Sequence, residues 1–358
     1  MKGDSRFFFC FLLFLALGVI VLLSASFAIA CERFNDCYFY FKHQLKTAYL
    51  PGVFLFLFFS FFDYRFLKKL AFPLLLVSIV FLILLFIPQL GRAYTSSVQW
   101  LNLGFISFQP SELVKFTLLI YFAALFSKGD FKKNKSSFLI FLLILGIVEF
   151  LIIRQPDYGA AILIFLLSLI ILFLADVPLS RFFLFLIIGL VSFSLLVFLS
   201  PYHLSRISTF ISWEGSSLTT GYHLNQAILA IGAGGLFGRG LGYSVQKYFY
   251  LPEVISDSIF AVLAEEFGFI FTLGVLAFYV FVFLRILRIS GESKDKFGKL
   301  LGLSIGFLFI LQFLVNVAGM LNLLPLTGLT LPFLSYGGTS FCIFAAAFGI
   351  VYNLSKKH

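Results

Sequence analysis

The stretch YLPEVISDSIFAVLAEEFG, residues 250–268, gathers Glu253, Asp257, Glu265 and Glu266 in a chain that holds only sixteen acidic residues. Carboxylates set against so apolar a run can take a proton from a hydroxyl group or hold a divalent cation. Ser256 or Asp257 is equally a natural N-cap for the helix that the run predicts. At about 100° per residue, Glu265 lies about 80° round a helix from Asp257 and Glu266 nearly opposite. The spacing therefore predicts that one deep Glu shares a cavity with Asp257 while the other pairs across the fold.

Three further motifs could carry chemistry. In FQPSELVK, Lys115 follows Glu112 by one turn; such a pair can neutralise itself, or the Lys can hold a phosphate as a point charge. In RQPDYGA, Arg154 and Asp157 flank a Pro, and the favoured role of Asp157 is to cap the next helix, with Gln155 and Asp157 as the alternative floor of a cavity. In LLPLTGLTLPFLSYGGTSF, residues 323–341, Pro325, Gly328, Pro332, Gly337 and Gly338 interrupt an apolar segment. Such a break is tolerated where backbone lines a cavity. It would offer N–H groups to a pyrophosphate, unless it is an ordinary kinked hairpin. No Walker loop, GxSxG elbow, HExxH helix or CxxC pair is present, and four widely spaced His do not suggest a metal site.

The elements that must position these residues are membrane helices. The chain is 61% hydrophobic and 12% charged with a mean hydropathy of +1.06, too apolar for a water-facing surface. Runs of about 20 apolar residues, each enough to cross a bilayer, fall near 7–29, 47–62, 70–88, 112–127, 137–153, 159–175, 182–200, 257–284, 300–319 and 333–353. The expected fold is thus an all-α polytopic membrane protein of ten transmembrane helices forming one domain, residues 1–358. Seventeen of the twenty-six Lys and Arg fall in one set of inter-helix segments, which places both termini in the cytoplasm. The net charge of +10 is this topology signal together with attraction to anionic lipid, and does not point to nucleic acid. Two outer segments are longer: 91–115, and 201–256 between helices 7 and 8, which should fold onto the bundle with a short helix near 224–231 ended by Gly232, Gly234 and Gly235. Cys31 and Cys37 share the first outer loop, where a disulfide and two free thiols are both open.

FQPSELVK, RQPDYGA, GYHLNQAILAIGAGGLFGRGLGYSVQKYFYLPE, DSIFAVLAEEFG and GLTLPFLSYGGTS occur in the order and spacing of the shape, elongation, division and sporulation (SEDS) proteins, the family of FtsW and RodA. The resemblance covers nearly the whole chain and leans to the FtsW branch through LLSASFAIA, GLGYSVQKYFYLPE and GLTLPFLSYGG. It implies a SEDS fold in the bacterial plasma membrane, at the division septum. The implied activity is peptidoglycan glycosyltransfer from lipid II beside a class B penicillin-binding protein and other divisome membrane proteins. It implies a catalytic role for Asp257. Gln109, Glu112 and Lys115, with Trp100, Glu253 and Ser335, would line the substrate cavity, and Asp157, Glu265 and Glu266 would support it. The family usually reads His-Thr-Asp-Phe where this chain has Ile255, Ser256, Asp257 and Ser258, and Arg where it has Gln99.

The chemistry expected is inverting: the GlcNAc 4-hydroxyl of one lipid-linked unit attacks the MurNAc anomeric carbon of another, Asp257 takes the proton, and undecaprenyl diphosphate leaves. An ionised carboxylate is a weak base that alignment can make sufficient. Positive charge for the leaving group would come from Lys115, Arg206, Arg239 or Lys247, or from Mg²⁺ or Mn²⁺ bound at Asp257. The alternatives are a lipid II flippase, a RodA-like elongation polymerase, and a scaffold that has lost catalysis. A flippase needs polar groups through the whole bundle, and away from the outer side only Glu149 stands well inside a span.

Overall fold

The computed structural model describes residues 3–93, 98–102, 104, 107–128, 135–199 and 219–356. Arg206, one of the expected cations, lies outside them.

Helices stand at all ten expected positions: α1 (Ser5–Phe34), α2 (Phe39–Phe61), α3 (Arg65–Leu84), α4 (Pro110–Ser127), α5 (Lys135–Arg154), α6 (Tyr158–Leu174), α7 (Leu179–Leu199), α9 (Ile259–Gly291), α10 (Lys296–Met320) and α11 (Gly338–Ser355). The helix α8 (Thr219–Ala233) lies in the long segment before α9. Eight of the helices are long and apolar enough to cross a membrane, and α6 and α7 supply shorter apolar stretches. The bundle turns large apolar side chains outward, among them Phe9, Phe54, Leu139 and Phe173, a surface suited to lipid tails and not to water. The chain is a multi-pass membrane protein.

The termini meet at one end. Asp4 N donates to Ser355 Oγ at 2.9 Å, and Arg285 near the end of α9 pairs with Asp4. Because α9 runs from Ile259 to Gly291, Asp257 lies at the opposite end, which basic-residue topology assigns to the outer face. There the segment 91–108 adds something the all-α expectation did not include, a three-stranded antiparallel sheet of β1 (Gly91–Ala93), β2 (Val98–Asn102) and β3 (Ser107–Phe108) in that order. Its register pairs Arg92 with Trp100 and Leu101 with Phe108. Strands this short leave too little alternating pattern to be recognised in a polar outer segment. Cys31 and Cys37 are joined in a disulfide between α1 and α2, while Cys10 and Cys342 are free.

Aromatic packing fixes the interrupted segment before α11. The chain holds 53 Phe, and Phe333, at φ 66°, sits among Phe14, Phe341, Phe344 and Phe348, its ring centroid 4.7 Å from that of Phe348. Tyr279 OH of α9 donates to Pro332 O. Such burial, together with satisfied backbone, lets a non-helical stretch stand at membrane depth. Opposite it, α2 relaxes into a π-turn at Leu45–Tyr49. Pro51 has no N–H for the Thr47 carbonyl, and Gly338 brings its backbone close to that oxygen, where a Cβ would stand 3.0 Å away.

Candidate functional site

Asp257 precedes α9. The N-cap position is Ser258, whose side chain makes no capping bond, so neither Ser256 nor Asp257 caps the helix as the sequence suggested. The backbone of 253–258 folds into a tight turn with Glu253 at φ 49°, and Glu253 O accepts from both Ser256 N and Ser258 N at 3.1 Å. Outside groups then take three successive carbonyls of this turn. Tyr336 N donates to Ile255 O at 2.8 Å, Ser335 Oγ donates to Ser256 O, and Asn316 Nδ2 donates to Asp257 O at 2.9 Å. A turn with no regular ladder of its own needs such partners, and here they come from α10 and the interrupted segment. On the side-chain side, a Cβ at Gly328 (φ 73°) would lie 3.6 Å from Asp257 Oδ2, so the glycine leaves room at the carboxylate.

A second polar cluster is wired to the first through α10. Lys115 Nζ donates to Glu112 Oε1 at 2.7 Å and to Gln312 Oε1 at 2.9 Å, with Lys115 only 1% exposed. Gln312 Nε2 continues to Thr330 O at 3.1 Å and Thr330 Oγ1 at 3.2 Å. Asn316, one turn beyond Gln312 on the same face of α10, joins Asp257 O to Leu329 O, the latter at 2.7 Å. Glu112 and Lys115 thus form a neutralised buried pair that braces the interrupted segment. Beside them Asp157 caps α6 through Ala160 N at 3.1 Å and accepts from Ser111 Oγ at 2.8 Å and Gln109 Nε2 at 3.4 Å, while Gln109 N donates to Thr339 Oγ1 at 3.1 Å. Gln155 donates to Leu82 O at 3.0 Å. Trp100 is half-buried on β2.

Glu265 and Glu266 serve the segment between α8 and α9. α9 opens at Gly268 (φ 77°), where Arg239 N and Gly240 N donate to Glu265 O and Glu266 O, and Phe269 N and Ile270 N donate to Gly235 O and Leu236 O. The backbones come so close that a Cβ at Gly238 would fall 2.2 Å from Glu266 O, which only glycine allows. The Glu265 carboxylate accepts from Ser244 Oγ and from Val245 N at 2.9 Å, with Arg239 Nη1 at 3.6 Å. The Glu266 carboxylate takes Lys247 Nζ at 2.7 Å and Ser24 Oγ of α1. The expectation that one of them shares a cavity with Asp257 assumed a regular helix through 257–268. That helix starts two residues after Asp257 and opens at Gly268, and both carboxylates are taken up by residues 239–247 and α1. The helix near 224–231 is likewise longer than expected, Thr219–Ala233.

Of the cations suggested for a leaving pyrophosphate, Lys115 and Lys247 are buried against carboxylates, while Arg239 is 42% exposed in its side chain. Amides of the interrupted segment are already engaged, among them Leu331 N with Ser335 Oγ, Leu334 N and Ser335 N with Leu331 O, Tyr336 N with Ile255 O, and Gly337 N with Gln44 Oε1. Among the described residues no three His, Cys, Asp or Glu cluster as metal ligands.

Sequence reasoning passed over Gln312, Asn316 and His223, and met Ser258 only as a departure from the family pattern beside Asp257. Gln312 and Asn316 had a signal, two amides four residues apart in an otherwise apolar span. His223, on α8, places Nε2 2.6 Å from Ser258 Oγ, and Ser258 Oγ lies 2.8 Å from Pro252 O. Burial holds its imidazole below the ordinary value, opposed by the Glu253 charge.

This helical bundle, with an acidic turn clamped at its outer end, defines a class of polytopic membrane protein. The chain belongs to the FtsW, RodA and SpoVE family of cell cycle proteins, whose model matches residues 4–358. It is 37% identical over 359 residues to a probable peptidoglycan glycosyltransferase FtsW of Coxiella burnetii, covering 99% of this chain and 96% of that protein. It is 37% identical over 350 residues to the stage V sporulation protein E of Bacillus subtilis, covering 96% and 94%. Among solved structures it resembles a chain of a peptidoglycan synthase complex that coordinates polymerization and crosslinking, with TM-score 0.79, 25% identity and coverage of 99% and 98%. The rod shape determining protein RodA of Thermus thermophilus aligns with TM-score 0.71, 25% identity and coverage of 99% and 97%.

Proposed function

We propose that the chain is a peptidoglycan glycosyltransferase that joins lipid II units into glycan strands and releases undecaprenyl diphosphate, with Asp257 as general base. The observation that carries this is the turn at 255–257. Three consecutive carbonyls are fixed from outside, and Gly328 lies beside the carboxylate, where a Cβ would stand 3.6 Å from Oδ2. A base of ordinary strength needs that kind of fixed aim, because alignment supplies the rate that basicity does not. Asp257 would accept the proton of the attacking sugar hydroxyl as the glycosidic bond forms and the phosphate–carbon bond breaks.

The buried Glu112–Lys115 pair supports the interrupted segment in this reading, and of the described cations suggested from sequence only Arg239 keeps a partly exposed side chain, held by Ala233 O and Glu265. Asp257 offers a single carboxylate, so Mg²⁺ or Mn²⁺ would be held between it and the phosphates of the substrate, a donor set such ions accept. When bound, the ion would supply charge to the leaving group. The partner we assign is a class B penicillin-binding protein, acting with other divisome membrane proteins at the septum. The resemblance to a peptidoglycan synthase complex that coordinates polymerization and crosslinking supports a transpeptidase partner.

The test is lipid II polymerisation by the purified chain with its transpeptidase partner. Asp257→Asn is expected to abolish glycan strands while leaving thermal unfolding unchanged. Strands of normal length and yield from that variant would remove Asp257 from the mechanism.

A further inference from the structure

The clamps on Ile255 O, Ser256 O and Asp257 O all come from α10 and from residues 335–336. They hold one side of the turn. The other side is reached from α8. Ser258, fully buried directly after Asp257, has one hydroxyl proton, and Pro252 O at 2.8 Å takes it. With that proton on Pro252 O, the contact of His223 Nε2 with the Ser258 oxygen at 2.6 Å is satisfied by the tautomer that carries the proton on Nε2, the arrangement that leaves no acceptor bare. The chain His223 Nε2–H to Ser258 Oγ–H to Pro252 O closes the loop 252–258 across its base, with Asp257 at the last position before the closure.

We propose that His223 is a positioning residue for Asp257, acting through the Ser258 hydroxyl to fix the direction in which the carboxylate leaves the turn. The proposal rests on the reading of Asp257 as the base. His223 is not needed to dock α8. Leu224, Ala227 and Ala230 are buried in the bundle, and the backbone pairing of 235–240 with 265–270 joins the following segment to α9. His223 stands in the first two turns of its helix, half-buried. What it requires of residue 223 is a donor at the place of Nε2, which a Gln amide can supply and an aliphatic chain of similar size cannot.

Lipid II polymerisation kinetics with the transpeptidase partner decide the matter. Misplacing a catalytic group by about 1 Å costs about 10- to 100-fold, so His223→Leu is expected to lower kcat by that factor, with KM for lipid II and the unfolding midpoint nearly unchanged. His223→Gln is expected to restore kcat to within about threefold of wild type. Ser258→Ala is expected to match His223→Leu, and the double variant to be no worse than either single one, since the two act as one unit. A wild-type kcat in His223→Leu overturns the proposal, as does a His223→Gln protein that folds normally and is as slow as His223→Leu. If His223→Leu does not fold, His223→Gln and Ser258→Ala carry the same decision. Asp257→Asn separates the two levels: full activity in that variant removes the base assignment, whereas its inactivity beside a fully active His223→Leu removes only the positioning role.

Discussion

Asn316 donates both amide hydrogens to backbone, one to Asp257 O at 2.9 Å and one to Leu329 O at 2.7 Å. One side chain of α10 thereby joins the turn that presents the carboxylate to the interrupted segment beside it, and its own Oδ1 is buried with no partner among the described residues. Two carbonyl acceptors fix the orientation of the amide, because flipping it would set oxygen against oxygen.

Asn316→Ala removes both donors, and each buried carbonyl left bare costs about 1–3 kcal/mol. The expected outcome is a lower unfolding midpoint together with a loss of lipid II polymerisation of about 100-fold. Asn316→Asp keeps the shape and removes the donors, so it should be as inactive as Ala. Polymerisation by Asn316→Asp at the wild-type rate would show that the amide only fills space.

The helices were legible in the sequence as apolar runs, eight of them long enough to cross a membrane and α6 and α7 shorter, and Asp257 was legible as an acid at the mouth of one. The partners of its turn were not. Asn316 lies 59 residues from Asp257 and Ser335 lies 79 residues from Ser256, whose carbonyls they hold, and bonds to backbone carbonyls leave no pattern of charge or period to read. Glu265 and Glu266 show the converse. Their acidity was plain, but their use was hidden by the assumption of a helix that already includes Asp257, whereas the helix begins at Ile259 and Gly268 opens it just beyond both carboxylates. Gly238 and Gly268 carried the signal, since two glycines are what a close backbone approach requires.

Lys247 and Glu266 are buried together at 2.7 Å, with Ser24 of α1 bonded to both. Removing one member of such a pair leaves an uncompensated charge and costs about 3–5 kcal/mol. Glu266→Gln and Lys247→Met should each lower the unfolding midpoint in detergent sharply, and the double variant should recover much of the loss. A double variant as unstable as the sum of the singles would contradict the pairing.

Gly328 stands at φ 73°, with room for a Cβ only 3.6 Å from Asp257 Oδ2. Gly328→Ala adds about 1–2 kcal/mol of left-handed backbone strain and brings a methyl into van der Waals contact with the carboxylate. Gly328→Val should crowd it further, so polymerisation is expected to fall more from Ala to Val than the unfolding midpoint does. Equal activity in all three proteins would mean that this space is not used by the reacting sugar.

The His223 imidazole is held below its ordinary 6.5 by burial, and the Glu253 charge opposes that shift only in part. The unfolded chain therefore takes up this proton at a higher pH than the folded chain does. Between the two values the unfolded state binds more protons, so stability increases with pH there. Above 6.5 the imidazole is neutral in the folded and largely neutral in the unfolded state, and its contribution is constant; as pH falls below 6.5 stability is lost through the folded value. Unfolding midpoints measured from about pH 7.5 to about pH 5.5 should be flat and then decline, and His223→Gln, which cannot titrate, should reduce the decline. Because Gln keeps the donor to Ser258, it should leave the plateau near its wild-type height. Identical profiles for the two proteins would show that the loss of stability in acid arises at other groups.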